Sequence, residues 1–407
     1  YRIMDFILSN LINSKINRIH ILTQYQPRSL EDHISETSVY SSINFSKTTY
    51  GSFIKVLPAY QSQSDETGWY LHTANAVYKN IDILFNDKIP ETLILAGDQI
   101  YKQNYETALE QHRKSNADLT VMAKVVPDYE ERKRFGLIIT DEDMNVVDFQ
   151  EKPNEPKSDL ASMGNYIFNQ KTLVDVLKAD ADNKNSKHDF GGDIIPWMVK
   201  NGYKVKVFPF SDFWADVGTV GSYFDTSLEL VKIEPQFNLY DPEWPIFTHR
   251  YHLPPAKFNY PDKLPPKNSL ISDGCILDDY ESIVESIVGP AVTVGSGVNL
   301  YRVIVFGSGC IGNSVIGLNV HAKNAIFDKN VKIGANTTIG YGLTESRHKR
   351  TDKQIDKNLE ELQALEEDLN WRLAEIDKMG LTGKVFIDKS GIIIVSKGTE
   401  IPEGTHL

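Results

Sequence analysis

Val292-Thr293-Val294-Gly295-Ser296-Gly297-Val298-Asn299-Leu300-Tyr301-Arg302-Val303-Ile304 opens the stretch that decides the fold. Val292, Val298, Ile304, Cys310 and Ile316 recur every six residues without a break, and Val320 with Ile326, then Ile333 with Ile339, repeat the step in new registers. Small residues follow many of them, as in Ile311-Gly312, Ile316-Gly317, Ile333-Gly334 and Ile339-Gly340. A six-residue period fits one flat side of a parallel β-helix coil, with one apolar side chain per side turned into a narrow interior. The competing reading is an antiparallel sheet with incidental spacing, and five consecutive matches weigh against it. We therefore read 268–407 as a left-handed parallel β-helix domain.

Inside that domain residues 343–379 break the pattern. Ile355, Leu362, Leu369 and Ile376 stand seven apart, with Leu359 and Leu373 on the same stripe. This predicts an amphipathic helical insertion near 350–379, packed on its own domain or used as a subunit contact. Upstream, residues 233–267 carry Pro235, Pro242, Pro245, Pro254, Pro255, Pro261, Pro265 and Pro266 among many aromatics. They read as an ordered linker, because so much aromatic surface is costly to leave in water. Before it, 1–232 alternate short aliphatic runs (19–23, 92–96, 119–123) with helical patterns (73–85, 105–114). That alternation predicts an α/β domain with a Rossmann-like, mostly parallel sheet.

The 407 residues are enough for two domains. With 43 basic and 55 acidic side chains the net charge is −12, which disfavours a nucleic-acid binder but leaves room for a local basic pocket. No apolar run approaches the roughly 20 residues of a membrane span. Cys275 and Cys310 alone make neither a disulfide framework nor a zinc site, so a cytoplasmic setting is expected. Tyr1 leads directly into helical periodicity, which reads as a fragment of a longer chain.

Ligands of such sheets bind beyond the carboxyl ends of the strands. Asp98 follows the aliphatic run 92–96 through Gly97 and could hold Mg2+ against phosphate oxygens, or cap the next helix. Asp216, between Trp214 and a Gly-Thr turn, could be a second metal ligand or an N-cap. Two distant aspartates meeting at one metal would suit nucleotidyl transfer. In Glu151-Lys152-Pro153 the lysine offers a charge for a phosphate and the glutamate an acceptor for sugar hydroxyls. Neighbours on a strand face opposite ways, so they can share a ligand only if Pro153 bends the chain there. A solvated turn is the alternative.

These segments together resemble the ADP-glucose pyrophosphorylases (glucose-1-phosphate adenylyltransferases) over nearly the whole chain. The resemblance runs from Tyr1-Arg2-Ile3-Met4-Asp5-Phe6 and Ile21-Leu22-Thr23-Gln24-Tyr25-Gln26 through Trp69-Tyr70, Thr73-Ala74-Asn75-Ala76-Val77 and Leu95-Ala96-Gly97-Asp98-Gln99-Ile100-Tyr101. It continues in Arg134-Phe135-Gly136, Glu151-Lys152-Pro153, Ala161-Ser162-Met163-Gly164-Asn165-Tyr166 and His188-Asp189-Phe190-Gly191, then in Leu253-Pro254-Pro255-Ala256-Lys257-Phe258. Order and spacing make the set specific where single motifs are not.

The resemblance implies transfer of the adenylyl group of ATP to glucose 1-phosphate, giving ADP-glucose and pyrophosphate, with Mg2+ as cofactor and a homotetramer as the assembly. It makes Asp98 and Asp216 the metal-binding carboxylates, and Asp98, Lys152 and Asp216 the catalytic set. Lys152 would hold the sugar phosphate and Glu151 the hydroxyls, with Tyr70, Gly136, Ser162, Tyr166, Asp189 and Trp214 lining the pocket. Gly136 would leave room for the sugar. His72, Gly192 and Ala215 depart from the family pattern. The family's first strand and Gly-rich loop would precede Tyr1, and their absence would weaken ATP binding. Two alternatives stay open: a nucleotidyltransferase with another base or sugar, and a non-catalytic regulatory subunit.

Overall fold

A computed structural model describes residues 1–25, 27–45, 52–59, 69–85, 89–259, 264–310, 312, 314–340 and 359–407, with only the backbone given at 44–45 and 359–368. The chain forms two compact units, Tyr1–Trp214 with Asp241–His249, and Ala215–Tyr240 with Arg250–Leu407. Among the described residues no helix is long and apolar enough to cross a membrane.

The first unit contains α1 (Ile3–Asn13), β1 (Arg18–Thr23), α2 (Arg28–Glu36), α3 (Ser38–Phe45), β2 (Phe53–Pro58), α4 (Thr73–Lys79), α5 (Ile81–Leu84), β3 (Glu91–Ile94), β4 (Gln99–Tyr101) and α6 (Tyr105–Ser115). There follow β5 (Leu119–Val125), α7 (Tyr129–Arg132), β6 (Gly136–Thr140), β7 (Val146–Glu151), β8 (Leu160–Asn169), α8 (Gln170–Ala181), a π turn (Phe190–Ile194), α9 (Ile195–Lys200) and β9 (Val205–Phe210). The expected alternation of strands and helices is present. β5 is its centre: Leu119, Thr120, Val121, Met122 and Ala123 are buried, as a strand covered on both faces must be. Leu119, Val121 and Ala123 pack with Leu173, Val176 and Leu177 of α8 and with Ile195 and Met198 of α9. Met122 and Ile167 face Ile7, Leu8 and Leu11 of α1 and Tyr105 and Ala108 of α6 on the other side.

The sheet is mixed in direction. Among the described strands β5 pairs parallel with β9, while β1 and β2 form a separate parallel pair. β8 runs antiparallel to β3, β5 and β6, and β6 antiparallel to β7. Because of that course β8 begins where β5 ends, with Val125 opposite Leu160. Its first residues therefore lie at the carboxyl edge of the parallel strands, where α/β sheets bind ligands.

Residues 241–249 pack on this unit. Trp244 donates its indole N–H to Asn10 at 2.9 Å, and Phe247 its backbone N–H to Ser9 at 2.8 Å. The segment from Arg250 belongs to the second unit, where the Pro254 carbonyl accepts the Gly274 N–H at 2.6 Å.

The second unit is a left-handed parallel β-helix. Three faces stack coil on coil, all in parallel. One carries 276–277, 293–294, 315–316, 332–333 and 400–401; the next carries 282–284, 299–301, 321–323 and 338–339; the third carries 270–271, 287–288, 304–305, 326–327 and 394–395. The interior is filled by Leu277, Val288, Val294, Leu300, Val305, Ile316, Ala322, Phe327, Ile333 and Ile339.

The repeat differs from the expected one in detail. Val292 and Val298 point inward, but on the third face Val303 and Val305 do so, while Ile304 turns outward against Phe224. Cys310 is exposed. The inward positions advance by six, six and five residues per coil, and one coil is lengthened by an excursion, so Leu277 faces Val294 but Val294 faces Ile316. Counting sixes from Ile304 reaches Ile316 because the short step and the excursion offset each other.

The insertion contains α11 (Leu359–Lys378). Ile376 packs into the β-helix interior, and Leu373 on the same stripe is exposed. Ile355 lies outside the described residues. One more helix, α10 (Val220–Glu229), also belongs to this unit, with Phe224 and Leu228 packed on Ile304, Ile326 and Ile392.

Candidate active site

Seven of the ten expected residues converge at the carboxyl edge of β5, in the first unit. Strand register brings in three: Gly136 faces Glu151 at the end of the β6–β7 pair, and Leu137 faces Ala161, next to Ser162. The Tyr166 hydroxyl reaches back along β8 to the Ser162 side chain. Burial raises the Tyr166 hydroxyl well above its ordinary range, so it stays a proton donor. Its ring packs against Phe190 at 5.6 Å, which places the π turn beside the strand.

That turn carries Asp189. Its carboxylate caps the turn, accepting Gly192 N–H at 2.9 Å, and its other oxygen accepts the Thr73 hydroxyl at 2.8 Å. The His188 carbonyl in turn accepts the Ala74 and Asn75 N–H groups at the start of α4. Helix α4 and the π turn are thus locked together by each other's unsatisfied termini. Tyr70, just before α4, is held by its N–H to Gln24 at 2.7 Å and by its hydroxyl, which accepts from Asn80 at 3.0 Å. Tyr70 thus reaches the cluster only through α4.

Lys152 supplies the bend that its pairing with Glu151 requires. It sits in the left-handed region, at φ 43°, with its N–H on the Phe135 carbonyl at 3.2 Å. The bend is at Lys152 rather than at Pro153. Its ammonium lies 3.7 Å from the Glu151 carboxylate. Burial pushes the Glu151 carboxyl above its usual range; Lys152 opposes this and the Asp189 carboxylate adds to it. Two nearby carboxylates and one ammonium offer acceptors for hydroxyls beside a cation for a phosphate.

The glycines act differently from the expectation. A Cβ on Gly136 would lie 2.5 Å from the Phe149 ring and 2.9 Å from Glu151 Oε2. The space it leaves is filled by protein atoms, not kept for a sugar. Gly191, which the sequence offers only as part of the His188–Gly191 motif and without a role, behaves alike: a Cβ there would meet Glu151 Oε2 at 2.7 Å. Both glycines let the Glu151 carboxylate sit where it does. Thr73 was also missed as a site residue; its threonine two residues before an asparagine gave no signal of its tie to Asp189.

Trp214 packs on Phe135 with ring centroids 5.1 Å apart, and on Leu137 and Ala161. Its indole N–H is buried with no hydrogen-bond partner among the described residues. A buried donor left open is costly unless a ligand satisfies it. Asp98 is exposed on the loop between β3 and β4. Asp216 lies just past the division between the units and accepts Gly218 N–H at 3.0 Å, ahead of the Thr219 cap of α10.

Residues 1–233 match the nucleotidyl transferase family, and residues 254–355 match the GlmU-like C-terminal hexapeptide family. Among curated proteins, a glucose-1-phosphate adenylyltransferase of Nitrosococcus oceani is 39% identical over 366 residues, covering 86% of this chain and 83% of that protein. The enzyme of the same name from Acetivibrio thermocellus is 39% identical over 345 residues, covering 84% and 76%. That of Methylobacillus flagellatus is 40% identical over 364 residues, covering 80% and 83%.

Proposed function

The chain belongs to the glucose-1-phosphate adenylyltransferases, and we propose that the β5-edge cluster is where it binds glucose 1-phosphate for attack on ATP. The reaction gives ADP-glucose and pyrophosphate. Convergence of Glu151, Lys152, Ser162, Tyr166 and Asp189 at the carboxyl edge of β5, with Trp214 packed on Phe135 beside them, is the observation that carries this reading.

In the reaction a phosphate oxygen of glucose 1-phosphate forms a bond to the α-phosphorus of ATP. The bond from that phosphorus to the bridging oxygen breaks, and pyrophosphate leaves with the electron pair. Lys152 holds the sugar phosphate and offsets its charge, so that the nucleophile approaches a second anion. Glu151 and Asp189 accept hydrogen bonds from sugar hydroxyls, while Tyr166 and Trp214 act as donors. Asp98 and Asp216 offer hard carboxylate oxygens, a donor type that fits Mg2+ shared with triphosphate oxygens. Held by these carboxylates, Mg2+ would supply charge neutralisation for the transfer. We place the enzyme in the cytoplasm as a homotetramer, the latter testable by sedimentation.

The test is to make Asp98→Asn and Asp216→Asn and to measure turnover at graded Mg2+ beside glucose 1-phosphate affinity by calorimetry. Turnover should fall by a hundredfold or more, as expected for about 3 kcal/mol or more of lost transition-state stabilisation, with sugar-phosphate affinity nearly kept. A variant that turns over normally removes its residue from the mechanism. A panel of nucleoside triphosphates and sugar phosphates checks the base and the sugar.

A further inference from the structure

β8 does not run evenly past β5. Val121 faces Tyr166 but Ala123 faces Ser162, so β8 uses four residues where β5 uses two. The surplus lies at Met163–Asn165, with Gly164 at φ 68°, a conformation glycine adopts without a Cβ clash. On the other flank, β3 pairs with β8 as far as Ile94 opposite Tyr166 and stops. The bulge has withdrawn the backbone that Ala96 would otherwise meet.

The Asn165 side chain takes the place of that backbone. Its Oδ1 accepts the Ala96 N–H at 3.1 Å, and its Nδ2 donates to Gln99 Oε1 at 3.2 Å and to the Tyr101 hydroxyl at 3.1 Å. Gln99 closes the circuit by donating its Nε2 to the Met163 carbonyl at 2.5 Å. Asn165 is fully buried, and Gln99 nearly so. The loop is thus gripped at Ala96 and again at Gln99, and Asp98 lies between the grips.

We infer that Asn165 is a positioning residue for adenylyl transfer: its amide fixes the Ala96–Gln99 loop so that Asp98 is presented from the same bulge that sets Ser162 and Tyr166. One bulge then holds both the loop of the metal-side carboxylate and the sugar-side residues in register. An amide suits the position because it accepts from one neighbour and donates to two others. Asp lacks the donors and would bury a charge, and Leu would leave the Ala96 N–H and the Gln99 Oε1 without this partner. The inference rests on reading Asp98 as catalytic.

A buried asparagine that only stabilised the fold would lower the melting temperature and leave turnover per folded molecule unchanged. The test is therefore a mutant cycle in the full chain with Asn165→Ala, Asp98→Asn and the double variant. Turnover, KM for glucose 1-phosphate and amide exchange over residues 95–101 are measured in each. Asn165→Ala should lower kcat about thirtyfold with KM within about threefold, and the double variant should be no more than about threefold slower than Asp98→Asn, as for residues acting as one unit. Amide exchange at Ala96 and Gly97 should rise. Unchanged kcat in Asn165→Ala, or losses that multiply in the double variant, would overturn the inference while leaving Asp98 in place. Normal turnover in Asp98→Asn would instead overturn the reading of the site. Should Asn165→Ala fail to fold, Gln99→Leu removes the second grip and enters the same cycle with the same expected outcomes.

Discussion

Lys152 shows what one residue gives up for its position. A left-handed conformation costs a non-glycine residue about 1 kcal/mol, a cost that Lys152 at φ 43° carries and a glycine there would not. Lys152→Gly and Lys152→Ala should both weaken glucose 1-phosphate binding, by about 2 kcal/mol, the scale of a charged hydrogen bond. The glycine variant should melt higher than the alanine variant, because only it relieves the backbone. Equal affinity in wild type and variants, read by calorimetry, would take Lys152 out of the site. Gly191 makes the complementary point. A Cβ there meets the far end of a flexible side chain, Glu151 Oε2 at 2.7 Å, so the carboxylate can move aside. Gly191→Ala should therefore alter stability by less than about 1 kcal/mol. It should raise KM for glucose 1-phosphate several-fold, with a smaller change in kcat. Unchanged steady-state constants would show that the carboxylate's place does not matter. Sequence named Glu151 and Lys152 because charge is legible in a string of letters. It gave Gly191 and Asn165 no role of their own because those roles arise from close approach across strands and from a bulge, and neither leaves a local pattern.

At the scale of elements, the start of α1 is tied to three other segments by one buried carboxylate. Asp5 accepts the Arg2 N–H at 2.7 Å, the Thr248 hydroxyl at 2.7 Å and the Tyr40 hydroxyl at 3.1 Å, and lies 2.6 Å from His33 Nε2. Burial pushes its carboxyl up, but the hydrogen bond and charge of His33, the Arg2 N–H and Thr248 together hold it below the ordinary value of 3.8. A carboxyl lowered on folding stabilises fully above its unfolded value, and that stability is lost as pH falls through the lower folded value. His33→Ala leaves burial less opposed, so the carboxyl should rise and acid unfolding should begin at higher pH. At neutral pH the variant should lose about 2 kcal/mol, the scale of a buried group deprived of its hydrogen-bond partner. Circular dichroism against pH checks both, and an unmoved acid midpoint would show that His33 does not hold Asp5. This network was invisible in sequence, since its members lie as far apart as residues 5 and 248. The β-helix was legible, though the six-residue rule erred at Ile304 and Cys310. A hydrophobic period survives one short step and one excursion when they offset each other, and the true step emerges only from the pairing of Val294 with Ile316.

At the scale of the molecule, the boundary between domains is a question of which surfaces α10 covers. Periodicity alone groups α10 with residues 1–232, and the family match to the first domain likewise runs to residue 233. The packing argues for a boundary near 215 for the folding unit. Phe224 and Leu228 are buried on Ile304, Ile326 and Ile392. Arg302 reaches from the β-helix to Asp225 at 2.9 Å, with its guanidinium 5.5 Å from the centre of the Phe224 ring. Fragments beginning at 215 and at 233, both ending at 407, separate the two boundaries. Without α10 the second fragment exposes three aliphatic side chains on one face and forgoes burial of Phe224 and Leu228. At about 2 kcal/mol for each such side chain, it should be less stable by about 4 kcal/mol. The longer fragment should unfold in one cooperative transition, and the shorter one should melt lower and self-associate through the bared patch. Phe224→Ala in the longer fragment should fall between them, because a cavity replaces a ring while the rest of the helix stays in place. Matching melting curves for the two fragments would return α10 to the first domain.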